Sequence, residues 1–186
     1  MKSKKFALIG TSCVGKTTLL FELERLLKKK YKRKKIMIVP EAARYYFEKR
    51  KTLKPFSYMH QRNIQEIARD FEERVEKQNP DIIICDRSVL DAVAYVKTMG
   101  TKEKTKKLLS KERKWLATYR HFFLLNPEGI RYEMDFIRKE DSETREAFHV
   151  SFLSLLQHLN LPYTLVSGNG KQRLKKIEKI ISTFKT

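Results

Sequence analysis

Eight consecutive residues, Gly10-Thr11-Ser12-Cys13-Val14-Gly15-Lys16-Thr17, match the pattern GxxxxGK followed by Ser or Thr. They lie between an apolar run, Lys5-Phe6-Ala7-Leu8-Ile9, and a helical repeat of Leu19, Leu20, Leu23, Leu26 and Leu27. A strand that enters a glycine-rich turn and opens a helix leaves few folds available. The glycines permit positive φ and close approach of the backbone to a ligand. Backbone N–H groups of such a loop, together with the positive end of the helix dipole, form a cradle for phosphate. Lys16, expected to stand exposed in the turn, neutralises charge on the outer phosphates, and Thr17 offers its hydroxyl to Mg²⁺. Thr18 is grouped with the cradle, although packing within the helix is the simpler account of it.

The rest of the chain alternates strand and helix patterns. Apolar runs predict strands over 5–9, 36–39, 81–86, 121–125 and 162–166. Apolar residues at helical spacing predict helices over 16–30, 42–50, 57–78, 89–97 and 102–119, and two more around Phe148 to Leu159 and Leu174 to Ile181. Such alternation implies one α/β domain over residues 1–186, a five-stranded parallel sheet covered on both faces. Ligands of these sheets lie beyond the carboxyl ends of the strands. The glycine loop, Glu41, Asp86-Arg87 and the charged residues after Pro127 all fall at such ends.

Each of these residues carries two readings. Asp86 ends the third strand, where it either contacts Mg²⁺ or caps the following helix. Arg87 clamps a transferring phosphoryl group or pairs with Asp91. Glu41 follows Pro40. It either takes a proton from a hydroxyl acceptor or supports the first turn of the next helix. A carboxylate there repels an acceptor that is itself a phosphate, so it favours a neutral hydroxyl. Arg44 lies one turn on and faces the same cleft in this reading. Tyr45, Tyr46 and Phe47 stack on a ring or fill the core. The span 129–145 has no clean period and reads as a mobile lid. Its Arg131, Arg138 and Arg145 are seven residues apart, and cations carried by a closing lid stabilise transferring phosphoryl groups.

The net charge is +19, from 41 Lys and Arg against 22 Asp and Glu. Basic runs at 28–35 and 102–114 attract polyanions, but they have no interleaved aromatics for base stacking, so solvated helix faces are favoured over nucleic-acid binding. Apolar residues make up 41%, too many for a disordered chain. No apolar run approaches the ~20 residues that span a bilayer, and the basic start lacks the apolar stretch of a signal peptide. Cys13 and Cys85 form no CxxC or Cys/His cluster, which predicts two reduced thiols and a cytoplasmic protein.

These residues resemble the P-loop kinase superfamily. Ile82-Ile83-Ile84-Cys85-Asp86-Arg87-Ser88 looks like the acidic-Arg-Ser motif of deoxynucleoside kinases, a resemblance that implies Glu41 as general base. The closer resemblance is to the family containing the nicotinamide riboside kinase domain of bacterial NAD regulators. It rests on Pro40-Glu41-Ala42-Ala43-Arg44, on Asp135-Phe136-Ile137-Arg138 and on Arg145, with Phe136 where that family has Gly. The resemblance implies a three-layer P-loop NTPase fold with strand order 2-3-1-4-5, ATP or GTP with Mg²⁺, and phosphoryl transfer to a small hydroxyl-bearing metabolite. Two other activities stay open at this point: a nucleotide-dependent regulatory switch, and a kinase of nucleic-acid 5′-hydroxyls. A switch needs a residue to orient water, and Gln61 lies far from any strand end.

Overall fold

The structure is a computed structural model that describes residues 3–50, 57–128 and 142–184. Five strands, β1 (Lys4–Ile9), β2 (Ile36–Val39), β3 (Ile82–Asp86), β4 (Tyr119–Leu125) and β5 (Tyr163–Val166), form one parallel sheet in the order β2-β3-β1-β4-β5. The helices are α1 (Lys16–Lys30), α2 (Ala42–Arg50), α3 (Tyr58–Glu76), α4 (Val89–Met99), α5 (Lys102–Leu116), α6 (Ser142–His158) and α7 (Gly170–Thr183). Among the described residues no helix is long and apolar enough to cross a membrane.

The central strands read as continuous apolar runs because both faces of the sheet are covered. Successive side chains point to opposite faces. Ala7, Ile9, Ile83, Cys85, Phe122 and Leu124 pack with α4, α5 and α6, whereas Phe6, Leu8, Ile82, Ile84, Phe123 and Leu125 pack with α1 and α7. Each large side chain buried this way contributes about 1.5–3 kcal/mol. The result is a three-layer α/β arrangement with the strand order 2-3-1-4-5 that the resemblance implies.

Several boundaries shift by one or two residues from the sequence reading, and two differences change where a side chain sits. The fifth helix stops at Leu116, and Tyr119 already belongs to β4. The Tyr119 hydroxyl reaches across to Glu72 Oε1 at 2.5 Å, which a residue on the helix would not do. The second difference is that α6 begins at Ser142, so Arg145 lies in a helix and not in an irregular segment. The polar residues 142–144 hide that start, because the apolar repeat begins only at Phe148.

A polar cluster lies inside the core of one face. Lys5 Nζ is 2.8 Å from Glu72 Oε2 and 2.9 Å from Glu76 Oε1. Trp115 Nε1 donates to Glu72 Oε2 at 2.8 Å, and the Lys5 ammonium sits 4.0 Å from the Trp115 ring centroid. Partners and ring contacts on this scale let a lysine sit at 1% exposure in a core strand.

Candidate functional site

The cradle is built where β1 leaves the sheet. Gly10 has φ +136, and a Cβ there would lie 3.0 Å from the Leu125 carbonyl oxygen. Only glycine meets both conditions. Cys13 and Gly15 also take positive φ, 53° and 79°. Gly15 caps α1 without a side-chain hydrogen bond, and no acidic residue stands in the first turn. The first N–H groups of α1 therefore point outward with the positive end of its dipole, which suits an anion. Val14 anchors the loop in the apolar cluster under α1.

Lys16 departs from the expectation of exposure. It is buried, and its Nζ donates to Gly10 O at 3.1 Å and Thr11 O at 2.5 Å. The ammonium is thus folded onto the loop's own carbonyls. Thr11 and Ser12 are buried and Cys13 is half-buried. Thr18 is exposed, which removes the helix-packing account of it.

Thr17 Oγ1 donates to Asp86 Oδ2 at 2.7 Å, joining the first turn of α1 to the end of β3. Asp86 is buried and its Oδ1 has no hydrogen-bond partner. A buried carboxylate oxygen left this way is unfavourable. A hydroxyl beside such an oxygen is the donor set a hard divalent cation takes, so the pair fits Mg²⁺. The capping alternative for Asp86 fails, because Ser88 caps α4: its Oγ accepts from Leu90 N at 3.1 Å, and Asp91 completes a capping box.

Arg87 adopts φ 72 and donates its own N–H to Leu8 O at 2.9 Å, so its side chain turns under the cradle. Nε donates to Glu41 Oε1 at 2.8 Å, and Nη1 to Asp91 Oδ1 at 3.0 Å and to Gly10 O at 3.2 Å. Burial works against its charge, but Glu41, then Tyr95, Asp91 and Asp86, push its pKa well above the ordinary guanidinium value. Arg87 therefore makes the Asp91 pair that the sequence offered and a second one with Glu41. Arg44, half-exposed, has its Nε 3.9 Å from Glu41 Oε2.

Around this centre, the Arg87 guanidinium lies 6.0 Å from the Tyr95 ring centroid, and Tyr95 packs on Phe148 of α6 at 4.1 Å. Arg145, one turn before Phe148, is buried. Tyr46 is a packing residue: it is buried and its hydroxyl meets His60 Nδ1 at 2.8 Å. Tyr45 sits edge-on to Phe71. Arg131, Asp135, Phe136 and Arg138 lie outside the described residues.

One site residue escaped the sequence reading. Arg173, in the first turn of α7, is buried and donates to three backbone carbonyls at the carboxyl edge of the sheet. Its signal was present: a cation in the first turn opposes the helix dipole and needs another reason to be there.

No curated protein sequence matches the chain. Among solved structures, NadR in complex with NAD and AMP-PNP aligns over 98% of this chain and 49% of the NadR chain, at 20% identity and a TM-score of 0.77. NadR in complex with NR aligns over 98% and 51%, with the same identity and TM-score. The chain thus spans about half the length of NadR. Deoxyadenosine kinase from M. mycoides, with products dCMP and a flexible dCDP bound, aligns over 97% of this chain and 100% of its own, at 16% identity and a TM-score of 0.68. At these identities the likeness is one of fold. A family model for the AAA domain matches residues 5–173, a span that runs from β1 into α7 and takes in the cradle, Glu41, Asp86 and Arg87. With nearly the whole of the described sheet inside that match, the chain belongs to the AAA domain family.

Proposed function

We propose that this chain is a Mg²⁺-dependent kinase that moves the γ-phosphoryl group of ATP, or of GTP, onto a hydroxyl of a small metabolite such as a nucleoside or pyridine riboside. One observation carries the reading. Glu41 is buried 2.8 Å from Arg87, whose guanidinium also touches the Gly10 carbonyl of the cradle. A carboxylate is thereby held beside the phosphate loop, on the β2–β3 side, where an acceptor meets the end of a triphosphate.

In this reading Lys16 leaves the Gly10 and Thr11 carbonyls for the β- and γ-phosphates. Thr17 and Asp86 would hold Mg²⁺, which when bound neutralises phosphate charge. Glu41 takes the hydroxyl proton as the acceptor oxygen forms its bond to phosphorus and the bond to the leaving diphosphate breaks. Arg87 orients Glu41, and Arg145 with Arg138 supplies positive charge to the transferring group. The fold neighbours support a nucleoside-like acceptor: NadR is solved with NR, and the deoxyadenosine kinase with nucleotide products. The chain matches only half of NadR, so the acceptor is argued from the carboxylate first.

The test is a thermal-shift screen of nucleosides and ribosides with Mg²⁺ and a non-hydrolysable triphosphate, followed by a coupled assay of diphosphate release on each hit. A bound acceptor raises Tm by mass action. A screen in which no acceptor shifts Tm beyond the triphosphate alone, and none accelerates diphosphate release, overturns the kinase reading.

A further inference from the structure

Three loops meet on the side of the cradle away from Glu41. They are the phosphate loop itself, residues 126–128 after β4, and residues 167–169 after β5. They already touch through main-chain and side-chain groups. Asn126 N donates to Val166 O at 2.9 Å, Asn126 Nδ2 donates to Ser167 Oγ at 3.2 Å, and Gly10 lies against the Leu125 carbonyl. The loop after β5 is stiffened locally. Gly168 has φ +96, and Asn169 and Gln172 close a capping box around the start of α7.

Arg173 holds all three together. Its Nε donates to Gly168 O at 2.7 Å, its Nη1 to Val14 O at 3.0 Å and its Nη2 to Asn126 O at 2.8 Å. Arg173 is 3% exposed, and all three of these acceptors are carbonyl dipoles. Burial draws its pKa below the ordinary guanidinium value. A planar fork with donors in fixed directions meets three carbonyls from three chain segments, a geometry that lysine cannot copy.

The topology gives this clasp a task. Strand β1, which carries the cradle, lies between β3 and β4. The β3 side holds Asp86, Arg87 and Glu41, which in the proposed reaction face the γ-phosphate and acceptor. A triphosphate lying in the cradle with its γ end there extends its nucleoside end toward β4 and β5. We propose that Arg173 is a positioning residue for the nucleoside end of the triphosphate: it fixes the distance between the phosphate loop and the loops after β4 and β5, and touches no ligand atom itself. The inference rests on the reading of the cradle as a nucleoside-triphosphate site.

The experiment compares Kd for ATP, GTP and inorganic tripolyphosphate, each with Mg²⁺, in wild type, Arg173→Lys and Arg173→Met. Tripolyphosphate needs only the cradle. A nucleoside triphosphate needs the cradle and the flanking loops in register. Arg173→Met is expected to weaken the better nucleotide about tenfold or more while moving tripolyphosphate less than about threefold, with Arg173→Lys in between. A general loss of folded protein weakens all three ligands alike, so the ratio reports position. Equal weakening of nucleotide and tripolyphosphate, or none of either, overturns the role of Arg173. If Arg173→Met does not fold, the ratio measured with Arg173→Lys decides, and a ratio equal to wild type counts against the proposal. Wild type that binds none of the three ligands removes the cradle reading itself, a different failure from an unchanged ratio.

Discussion

Arg87 and Glu41 are 46 positions apart, yet Arg87 Nε lies 2.8 Å from Glu41 Oε1, and both side chains are buried. The contact exists because β2 and β3 are neighbours in the sheet, so the residues that follow them leave on the same edge. It makes Glu41 the residue whose substitution best separates acceptor chemistry from nucleotide binding. Glu41→Gln keeps shape and an accepting oxygen for Arg87. We expect phosphoryl transfer to an identified acceptor to fall by about 10²–10⁴, with triphosphate affinity unchanged by titration calorimetry. Transfer at the wild-type rate would remove Glu41 as the base.

Lys16→Ala is expected to abolish Mg²⁺-dependent triphosphate binding. Because Nζ is buried against the Gly10 and Thr11 carbonyls, the substitution should also lower stability by about 1–2 kcal/mol. Calorimetric titration and urea unfolding read the two effects separately. Unchanged affinity would contradict the cradle assignment.

His121 and His149 give a pH dependence with a definite sign. Burial lowers both pKa values from 6.5, against some opposition from Glu146 at His149. The unfolded chain thus binds protons at higher pH than the folded one. Their contribution to stability is complete above about pH 6.5 and is lost as pH falls through the lower folded values. We expect Tm to drop between about pH 7.5 and about pH 5.5, before most carboxylates titrate. A His121→Gln, His149→Gln protein should lose that step. A step of equal size in the double variant assigns it elsewhere.

The Lys5–Glu72 pair tests what a buried charge needs. Glu72→Leu leaves Lys5 in the core with the more exposed Glu76 as its carboxylate. We expect a loss of about 3–5 kcal/mol, only partly recovered by adding Lys5→Met, because the second change removes the stranded ammonium but leaves the Tyr119 hydroxyl and Trp115 Nε1 without their Glu72 acceptor. Urea denaturation of the single and double variants measures the difference. A double variant no more stable than Glu72→Leu would show that the pair does more than satisfy itself.

The basic surface makes a prediction about salt. α5 exposes Lys102, Lys104, Lys106, Lys107, Lys111 and Lys114, and none of them makes a salt bridge among the described residues. A solvated lysine face binds single-stranded RNA weakly at about 50 mM salt and loses it by about 200 mM. Fluorescence anisotropy across that range checks it. A submicromolar complex that survives the higher salt would favour a nucleic-acid acceptor.

What the sequence reveals and what it withholds divide along one line. The cradle is legible because its chemistry is local: eight adjacent residues carry the glycines, the lysine and the hydroxyl. Asp86 and Glu41 are legible because they end apolar strands. Their partners are not, since Thr17 meets Asp86 and Arg87 meets Glu41 only once strand order is known. The same holds for Lys5, which reads as the edge of a strand until Glu72 of α3 is brought beneath it. Arg145 reads as part of an irregular segment because the first turn of α6 is polar, whereas the structure places it within that helix. Arg173 is hardest, because its three partners are main-chain carbonyls, which no side-chain pattern encodes.

The position of β1 in mid-sheet has a consequence for the order in which the protein acquires its parts. Lys4 is in register with Ile82 and Lys5 with Tyr119, so the strand that delivers the phosphate loop has no neighbour until those later residues leave the ribosome. The loop is synthesised before either of the two strands that flank β1, and it gains their support only after both have followed. During translation its glycines and Lys16 travel as an unsupported stretch of chain, and the long wait for β3 and β4 makes this a slow, non-local step. On the kinase reading proposed above, a nucleotide has nothing to hold until β3 and β4 have joined β1, so binding would report on completed folding and would not guide its beginning.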